Sequence, residues 1–318
     1  MNYRPFQNTD PPRLLALWHA GGLGRGAAEG VTADVFEIAI FSRMYFDRQG
    51  LILACDGDQV VGFVHAGFGP NEDETALNRQ TGVICAVLVH PSSRRRGIGR
   101  ELVNRAETYL ADAGATEVLA GAAPPNDPFY GGLYGGGQPA GFLDSDPDAV
   151  PFFTALGYET LSRRAILQRA LTEGTDPVNV QLMAIRRKTQ LAAVQGPLSR
   201  TWWWQARYGA ADTLRFALVE KNTEQTLAAV TAVNLEFYLP KWGQQALGLF
   251  DLTISPECRN DGYGQALIVE VCRRLREERF TLVEVHVSED DAGDAALYGA
   301  AGFTRIDGGS VLRKIQSG

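Results

Sequence analysis

The sequence predicts an α+β protein in which two halves of similar plan follow one another, with α/β character at the centre of each half. Three observations carry this prediction: a strand–turn–helix–strand segment that occurs twice, apolar runs rich in β-branched residues around an amphipathic helix, and hairpin signals upstream of each copy. A chain of 318 residues is long enough for two domains of typical size. We therefore expect two mixed sheets, each mostly antiparallel around a central parallel β-α-β unit flanked by helices.

The repeat appears when residues 85–121 are laid on residues 250–286, which lie 165 positions later in the chain. The match runs through strand, turn, helix and next strand without a gap. The turn residues coincide as well: Pro91 with Pro256, Gly97 with Gly262, and Gly99 with Gly264. A segment that repeats together with its turn residues indicates two copies of one structural unit.

Within each copy the pattern changes from strand to helix after a proline. Residues 84–89 and 248–254 are short apolar runs typical of buried strands, and a proline, which donates no ladder hydrogen bond, follows each run. In the first copy the next apolar residues recur on one face of a helix, which Gly114 ends. A strand–helix–strand unit in one sheet predicts parallel strands joined by a right-handed crossover.

Turn and linker signals set the expected domain boundaries. Residues 51–68 are two apolar runs around a Gly-containing turn, which indicates a hairpin, and residues 213–238 are their counterpart. The polar stretch 169–180, which contains Gly and Pro, is the expected linker. It would separate a first domain, residues 1–168, from a second domain, residues 181–318.

Composition and charge argue against several classes of function. The net charge is −7 and the pI is about 5.2, which argues against nucleic acid as a partner and is compatible with a small cationic substrate such as an amine. No apolar stretch could span a bilayer and the start lacks the layout of a signal peptide, so we expect no membrane partner and a cytoplasmic location. No metal site is expected, and the cysteines fit buried reduced thiols: Cys55, Cys85, Cys258 and Cys272.

The two glycine turns predict phosphate binding. The first N–H groups of a helix have no intrahelical partner, and the helix dipole adds positive charge at that end. Glycines remove the side chains that would hold a phosphate away from those N–H groups. The pattern R-x-x-G-x-G stands between strand and helix at residues 94–99 and again at residues 259–264.

This pattern resembles the acyl-CoA-binding signature of the GNAT superfamily of N-acyltransferases, and the resemblance covers roughly residues 1–168 and 177–318. It implies two GNAT folds in tandem, in which two neighbouring strands splay apart and the pantetheine arm of acetyl-CoA lies in the gap. A short helix followed by a glycine-aromatic pair ends each half as in that family. Asp146 and Asp291 hold equivalent positions there and suit helix N-caps.

The resemblance implies that acetyl-CoA is the co-substrate and that the strand and turn of each half bind it. In the first half these residues are Leu88, Val89, Arg94, Arg95, Arg96, Gly97, Ile98, Gly99 and Arg100. In the second half, with a weaker signal, they are Ile254, Arg259, Asn260, Asp261, Gly262, Tyr263 and Gly264. The first turn is rich in arginine, whereas Asp261 leaves the second nearly neutral. If each added charge pair is worth about 1 kcal/mol, the first turn binds roughly a hundredfold more tightly.

In the family an amine attacks the thioester carbonyl directly, a base takes its proton, and a tyrosine often protonates the leaving thiolate. The resemblance gives that tyrosine position to Tyr298 in the second half, where the first half has Phe153. Asp251, on the strand before the second turn, is the candidate base. For each residue a structural alternative stays open: Tyr298 as a helix tyrosine packed against the sheet, and Asp251 as a surface or interface charge.

An insertion at about residues 124–145 of the first half, rich in glycine and aromatic residues, offers Tyr130 or Tyr134 as a replacement acid. Either the insertion covers an acceptor pocket beside the gap, or it is an ordered loop that packs between the domains. The tryptophan triplet at 202–204 is expected to pack in a core or at the domain interface.

The predicted function is an N-acyltransferase that moves an acetyl or other acyl group from acetyl-CoA to a primary amine of a small molecule or peptide. Two alternatives stay open. One is a non-catalytic acyl-CoA-binding sensor or scaffold, which the lack of an obvious base favours. The other is an enzyme that resembles mycothiol synthase and has one inactive half. A homo-oligomer is compatible with the sequence.

Overall fold

The structure, a computed structural model, describes residues 1–194, 201–209 and 213–315. The strands are β1 (Asn2–Pro5), β2 (Leu51–Asp56), β3 (Gln59–Pro70), β4 (Leu77–Val89), β5 (Glu117–Ala120), β6 (Phe142–Leu143), β7 (Tyr158–Ala170), β8 (Thr189–Val194), β9 (Thr213–Glu220), β10 (Thr226–Asn234), β11 (Ala246–Ile254), β12 (Leu282–Ser288) and β13 (Thr304–Lys314). The helices are α1 (Pro11–Ala20), α2 (Ala33–Phe36), α3 (Ile98–Asp112), α4 (Ala149–Thr154), α5 (Val180–Lys188), α6 (Trp202–Tyr208), α7 (Leu239–Trp242), α8 (Tyr263–Glu277) and α9 (Ala292–Ala300).

Within the described ranges, the strands of both halves form one continuous mixed sheet. Their order is β1-β2-β3-β4-β5-β13-β7-β12-β11-β10-β9-β8, and β6 pairs with β13 beside this path. The parallel pairs are β4–β5 in the first half and β11–β12 in the second, and the other pairings are antiparallel. The predicted mixed sheets with a central parallel unit are thus confirmed, but they are joined edge to edge.

The halves are joined because each contributes its last strand to the other. The final strand of the chain, β13, pairs with β5 of the first half, and β7, the last strand of the first half, pairs with β12 of the second. β13 and β7 also pair with each other along most of their length. The repeat did not predict this exchange, since nothing in the strand sequences distinguishes a partner in the same half from one in the other.

The crossover helices α3 and α8 pack against the sheet as the apolar spacing predicts. In α3 the apolar side chains are fully buried at Leu102, Val103, Ala106 and Leu110. The equivalent positions of α8 are buried at Leu267, Ile268, Val271 and Leu275. Burying these side chains stabilises each unit by several kcal/mol, at roughly 1.5–3 kcal/mol for each Leu, Ile or Val among them.

The insertion in the first half packs against the second half. The Gly136 N–H donates to the Tyr238 hydroxyl at 2.9 Å, and the Asp127 carboxylate pairs with Arg207 at 2.5 Å. A methyl group built at Gly137 would lie 3.0 Å from the Cα of Gly248 on β11, so the two backbones touch. The glycines of the insertion therefore allow close packing between the halves, one of the two roles left open by the sequence.

Other local predictions agree with the structure. The ring of Trp203 lies 5.0 Å from that of Tyr45, so the tryptophan triplet contributes to packing between the halves. All four cysteines are free and buried. Strand β7 runs to Ala170 and α5 begins at Val180, so structured residues flank the polar stretch between them. The division of the chain at residues 169–180 stays a prediction.

Candidate functional site

The parallel strands β4 and β5 separate near the middle of the first half. Their pairing ends at Ile84 and Ala120, and β4 continues to Val89 without β5 beside it. The register of β4 against β3 shifts at Cys85, which marks a β-bulge where the strand turns away. A cavity of about 670 Å³ lies in this opening and is lined by β4 residues 85–89. The peptide groups of this stretch that face away from β3 have no β5 partner.

The first glycine turn forms one end of this first-half cavity. Gly97 precedes α3 with φ = 80°, in the left-handed region that glycine favours. A methyl group built at Gly97 would meet no heavy atom within 4 Å apart from its chain neighbours. The N-terminus of α3 is therefore open to the cavity, and its first N–H groups are available to an anion.

The arginines of this turn differ in their surroundings. Arg94 is committed within the protein: its guanidinium donates to the carbonyl of Val89 at 3.1 Å and to that of Gly21 at 2.6 Å. Arg95 is highly exposed and lies 3.5 Å from Asp148, another exposed side chain. Arg95 and Arg100 line the cavity with Arg94, whereas Arg96 belongs to the turn but does not line it. Arg94 thus braces the turn, and Arg95 and Arg100 are the cations best placed for a phosphate.

The remaining predicted cofactor residues of the first half also lie at the opening. The cavity is lined by Leu88, Val89, Gly97, Ile98 and Gly99. A methyl group built at Gly99 would lie 3.2 Å from the ring of Phe152, so a larger residue there would require this α4 ring to shift by a few tenths of an ångström. The structure therefore brings together the strand and turn residues that the sequence singled out.

Tyr134 of the insertion lines the same cavity and is held by Asp146. Its hydroxyl donates to the Asp146 carboxylate at 2.5 Å and accepts from the Leu143 N–H at 3.3 Å. The other Asp146 oxygen accepts from the Gly24 N–H at 2.6 Å. Burial, and then the adjacent Asp146 carboxylate, raise the pKa of Tyr134 well above its ordinary value. The prediction of Asp146 as a helix cap is wrong, because its carboxylate holds Tyr134 while Asp148 precedes α4.

Tyr130 lines the cavity on its other side and contacts a buried histidine. The Tyr130 hydroxyl lies 3.1 Å from Nδ1 of His65, which β3 carries into the core. Burial lowers the pKa of His65 to about 3, so the imidazole is neutral at physiological pH. Burial also raises the pKa of Tyr130 well above its ordinary value, which keeps its proton in place at neutral pH. The insertion therefore contributes its tyrosines to the lining of this cavity while its glycines pack between the halves, and its role as the cover of an acceptor pocket stays a prediction.

The second glycine turn has the same backbone but different surroundings. Gly262 precedes α8 with φ = 78°. A methyl group built there would lie 3.1–3.3 Å from the side chain of Gln181, which α5 places over the turn. One built at Gly264 would lie 2.6 Å from Leu297 and 2.7 Å from Ile254. Side chains of the protein itself therefore occupy the space next to this turn.

The catalytic candidates of the second half lie apart from the first-half cavity. Tyr298 is buried in the second core, with its ring 5.5 Å from that of Phe303, and burial followed by Asp294 raises the pKa of its hydroxyl. Asp251 sits at a bulge with φ = 55°, and its carboxylate accepts from Arg215 at 2.5 Å. The predicted N-cap at Asp291 is confirmed, since its carboxylate accepts from the Asp294 N–H at 3.0 Å.

Sequence reasoning did not single out two residues of the first-half site. His65 is a single histidine within an apolar strand pattern, and Asp146 carried the signal of a helix cap. Only the fold shows that β3 brings His65 to the insertion and that Asp146 faces Tyr134. A polar residue within a continuous apolar strand is the one signal that marks His65 in advance.

Among the described residues, no group of three or more His, Cys, Asp or Glu side chains is arranged for a metal ion. In the same ranges, no helix is long and apolar enough to cross a membrane.

The profile of the acetyltransferase (GNAT) family matches this chain twice, over residues 28–131 and 180–303. The comparison with curated proteins finds no match. Among solved structures, a tandem GNAT protein from the clavulanic acid biosynthesis pathway is 17% identical, with a TM-score of 0.67 over 100% of this chain and 99% of that one. A GCN5-related N-acetyltransferase from Sphaerobacter thermophilus is 18% identical, with a TM-score of 0.63 over 98% and 95% of the two chains.

A third similar structure is described as a GCN5-related glucosamine N-acetyltransferase region in a fungal multi-domain GH3 β-N-acetylglucosaminidase. It is 16% identical, with a TM-score of 0.71. The likeness covers 98% of this chain but 38% of the fungal chain. At these identities, the likenesses show the shared fold.

Proposed function

Because the chain belongs to the acetyltransferase (GNAT) family, whose profile matches both halves, we propose that its first half transfers an acetyl group from acetyl-CoA to a primary amine. The observation that carries this proposal is the open turn at Gly97, which ends a cavity of about 670 Å³ between β4 and β5. The second half is not assigned this role, since Gln181 lies over its turn at Gly262.

The first-half site fits the charged end of acetyl-CoA. The start of α3 lines the cavity, and Gly97 places no side chain there, so we expect the first N–H groups of the helix to reach the phosphates. Arg95 and Arg100, both exposed at the cavity, would add charge-assisted bonds to the pyrophosphate. Braced by Arg94, the turn is preorganised, so little side-chain entropy is lost on binding.

The strand opening fits the pantetheine arm. Residues 85–89 of β4 lie along the cavity without β5 beside them, and their peptide groups would pair with the amides of the arm. Bound in this way, acetyl-CoA supplies an activated thioester carbonyl. Tyr130 and Tyr134 line the same cavity, and we expect the thioester end of the arm to lie near them.

The lining of the cavity supports an amine as the acceptor class. Trp18 and Tyr130 contribute apolar surface to it, and Asp146 and Asp148 contribute carboxylates. An apolar lining with carboxylates suits the ammonium group of a small molecule or of a peptide end. Water that reaches the cavity would take the surplus proton of the amine, since no side chain there stands out as a base.

The same proposal includes a cytoplasmic location. All four cysteines are free and buried, which is typical of proteins in a reducing compartment.

Two matched variants test the binding site. Gly97→Glu and Gly262→Glu put the same side chain at glycines of nearly the same backbone, with φ of 80° and 78°. We expect Gly97→Glu to abolish acetyl-CoA binding in calorimetry, because it places a carboxylate in the phosphate cradle, and Gly262→Glu to leave the affinity within about threefold. Loss of binding in Gly262→Glu, with binding retained in Gly97→Glu, would place the cofactor site in the second half.

Activity is then measured as release of free thiol from acetyl-CoA with spermidine, L-lysine, glucosamine, tyramine or kanamycin. Release above background hydrolysis by the unmodified protein, and its loss in Gly97→Glu, is the expected result. Binding without thiol release from any amine would favour the non-catalytic acyl-CoA sensor.

A further inference from the structure

We propose that His65 is a positioning residue that holds the Tyr130 hydroxyl by donating its Nδ1–H to it and turns the tyrosine proton toward the cavity. This inference rests on the proposed function of the first-half site, and it chooses between the two tyrosines there. It stands on the 3.1 Å contact between His65 Nδ1 and the Tyr130 oxygen.

The two rings are fixed in this arrangement by aromatic packing. His65 is fully buried, and its ring stacks on that of Phe129 with centroids 4.1 Å apart. Tyr130 is 5% exposed and lies parallel to Trp18 with centroids 6.1 Å apart. Both rings are therefore held by neighbours, and the hydroxyl meets Nδ1 and not Nε2.

The direction of the hydrogen bond follows from the other ring nitrogen. His65 Nε2 is buried and has no hydrogen-bond partner among the described residues. The ring is neutral because burial lowers its pKa to about 3, so it carries one N–H. A proton on Nε2 would be a buried donor without an acceptor, and orphaned N–H groups are rarer than under-satisfied acceptors. The proton therefore belongs on Nδ1, where it has the Tyr130 oxygen as acceptor.

Tyr134 has the opposite electrostatic setting. Its own proton is engaged by the Asp146 carboxylate at 2.5 Å. If Tyr134 gave up that proton to a substrate, a phenolate would form beside a carboxylate, and the like charges would repel. Tyr130, by contrast, would leave a phenolate that accepts from a neutral N–H. The surroundings therefore favour Tyr130 as the proton donor.

Tyr130 gives its hydroxyl proton to the sulfur as the C–N bond to the amine forms and the C–S bond of the thioester breaks, with the C–S electron pair going to sulfur. His65 keeps its Nδ1 proton and stabilises the phenolate through the hydrogen bond. The surplus proton of the acetylated amine, released to water, restores the Tyr130 hydroxyl.

A double-variant series with acetyl-CoA and the fastest amine of the screen tests the assignment. His65→Phe keeps a ring on Phe129 but removes the donor, and we expect kcat to fall about tenfold to a hundredfold with KM for acetyl-CoA within twofold. Tyr130→Phe should lower kcat by more. His65→Phe combined with Tyr130→Phe should be no slower than Tyr130→Phe alone, because His65 acts through that hydroxyl.

Two amide variants give a second test that does not depend on the phenylalanine variant folding. His65→Asn places an N–H near the Nδ1 position and should recover part of kcat, whereas His65→Gln places it near Nε2 and should not. Equal rates for Asn and Gln, or losses for His65 and Tyr130 that multiply in the double variant, would overturn the inference. If the unmodified protein releases no thiol with any amine, both the proposed function and the inference about His65 fail. If it does and His65→Phe retains full kcat, only the inference fails.

Discussion

The two glycine turns share a backbone and differ in what lies in front of it. Gly97 has φ = 80° and ψ = −5°, and Gly262 has φ = 78° and ψ = 2°. The first turn opens on a cavity, while the second is covered by Gln181. Glycine spacing therefore specifies the conformation of such a turn, whereas the side chains brought over it decide whether an anion can reach the helix N-terminus.

The cover on the second turn comes from the segment that joins the halves. Helix α5 carries Gln181, and the chain before it is anchored by Asp176, which pairs with Arg169 of β7 and Arg276 of α8. Strand β7 pairs with β12 of the second half and also carries Arg169, which anchors the chain before α5. The strand exchange and the cover of the second turn therefore both depend on β7. In the first half the chain after α1 also reaches the turn, where Arg94 donates to the Gly21 carbonyl at 2.6 Å, but no side chain lies within 4 Å of a methyl group built at Gly97.

The largest expected effect concerns the acid in each half. Tyr130→Phe should lower kcat by roughly 10²–10⁴-fold, because it removes the proton for the leaving thiolate while keeping the ring. Tyr298→Phe, its control in the second half, should leave kcat within about twofold. Steady-state thiol release measures both. A large loss in the Tyr298 variant with none in the Tyr130 variant would transfer the chemistry to the second half.

The next effect concerns the anchor of α5. Hydrogen bonding to Arg276, and then to Arg169, lowers the pKa of Asp176 to about 2 from an ordinary value of 3.8. The stabilisation is present above pH 3.8 and is lost as the pH falls through about 2. Asp176→Asn should therefore cost about 2 kcal/mol of unfolding free energy at pH 7. Denaturant unfolding of both proteins should show this difference shrink below pH 4, and a difference independent of pH would contradict the ion-pair account.

A smaller effect is expected from the exposed charges of the turns. Replacing both Arg95 and Arg100 by alanine should weaken acetyl-CoA binding about tenfold at low salt and less at high salt, since exposed charges are screened. Arg259→Ala in the second turn is the control and should change nothing measurable. Titrations at two salt concentrations give the comparison. Equal losses of acetyl-CoA affinity from the variants of the first and second turns would show that both turns bind acetyl-CoA.

The smallest effect is expected from the side chain that covers the second turn. Gln181→Ala removes the cover of Gly262 but leaves Ile254 and Leu297 against Gly264. We therefore expect little or no new acetyl-CoA binding, measured in the Gly97→Glu background where the first site is lost. Tight binding in this variant would mean that Gln181 alone keeps the second turn closed.

The local plan of the fold could be predicted from the sequence because its signals are local. The prolines at 91 and 256, the glycine pairs and the helix spacing mark strand, turn and helix in both halves, and all of them agree with the structure. The exchange of β7 and β13 was not predictable, since the unpaired backbone groups of a strand can form the same ladder with a partner in either half.

The site was predictable in part for the same reason. The proposed phosphate-binding end lies in one continuous stretch, residues 94–99, whose pattern is visible in the sequence. The proposed proton donor depends on contacts distant in sequence: His65 with Tyr130, and Asp146 with Tyr134. The contact that covers the second turn is equally non-local, because Gln181 lies 81 residues before Gly262 in the chain.

The most direct test of the central claim is a crystal structure of the protein grown with acetyl-CoA. We predict electron density for the pyrophosphate at the first turn, residues 94–99, with the pantetheine arm along β4 residues 85–89 and the thioester near Tyr130. The second turn, residues 259–264, should hold none and keep Gln181 over Gly262. Acetyl-CoA bound at the second turn, alone or together with the first, would contradict the account.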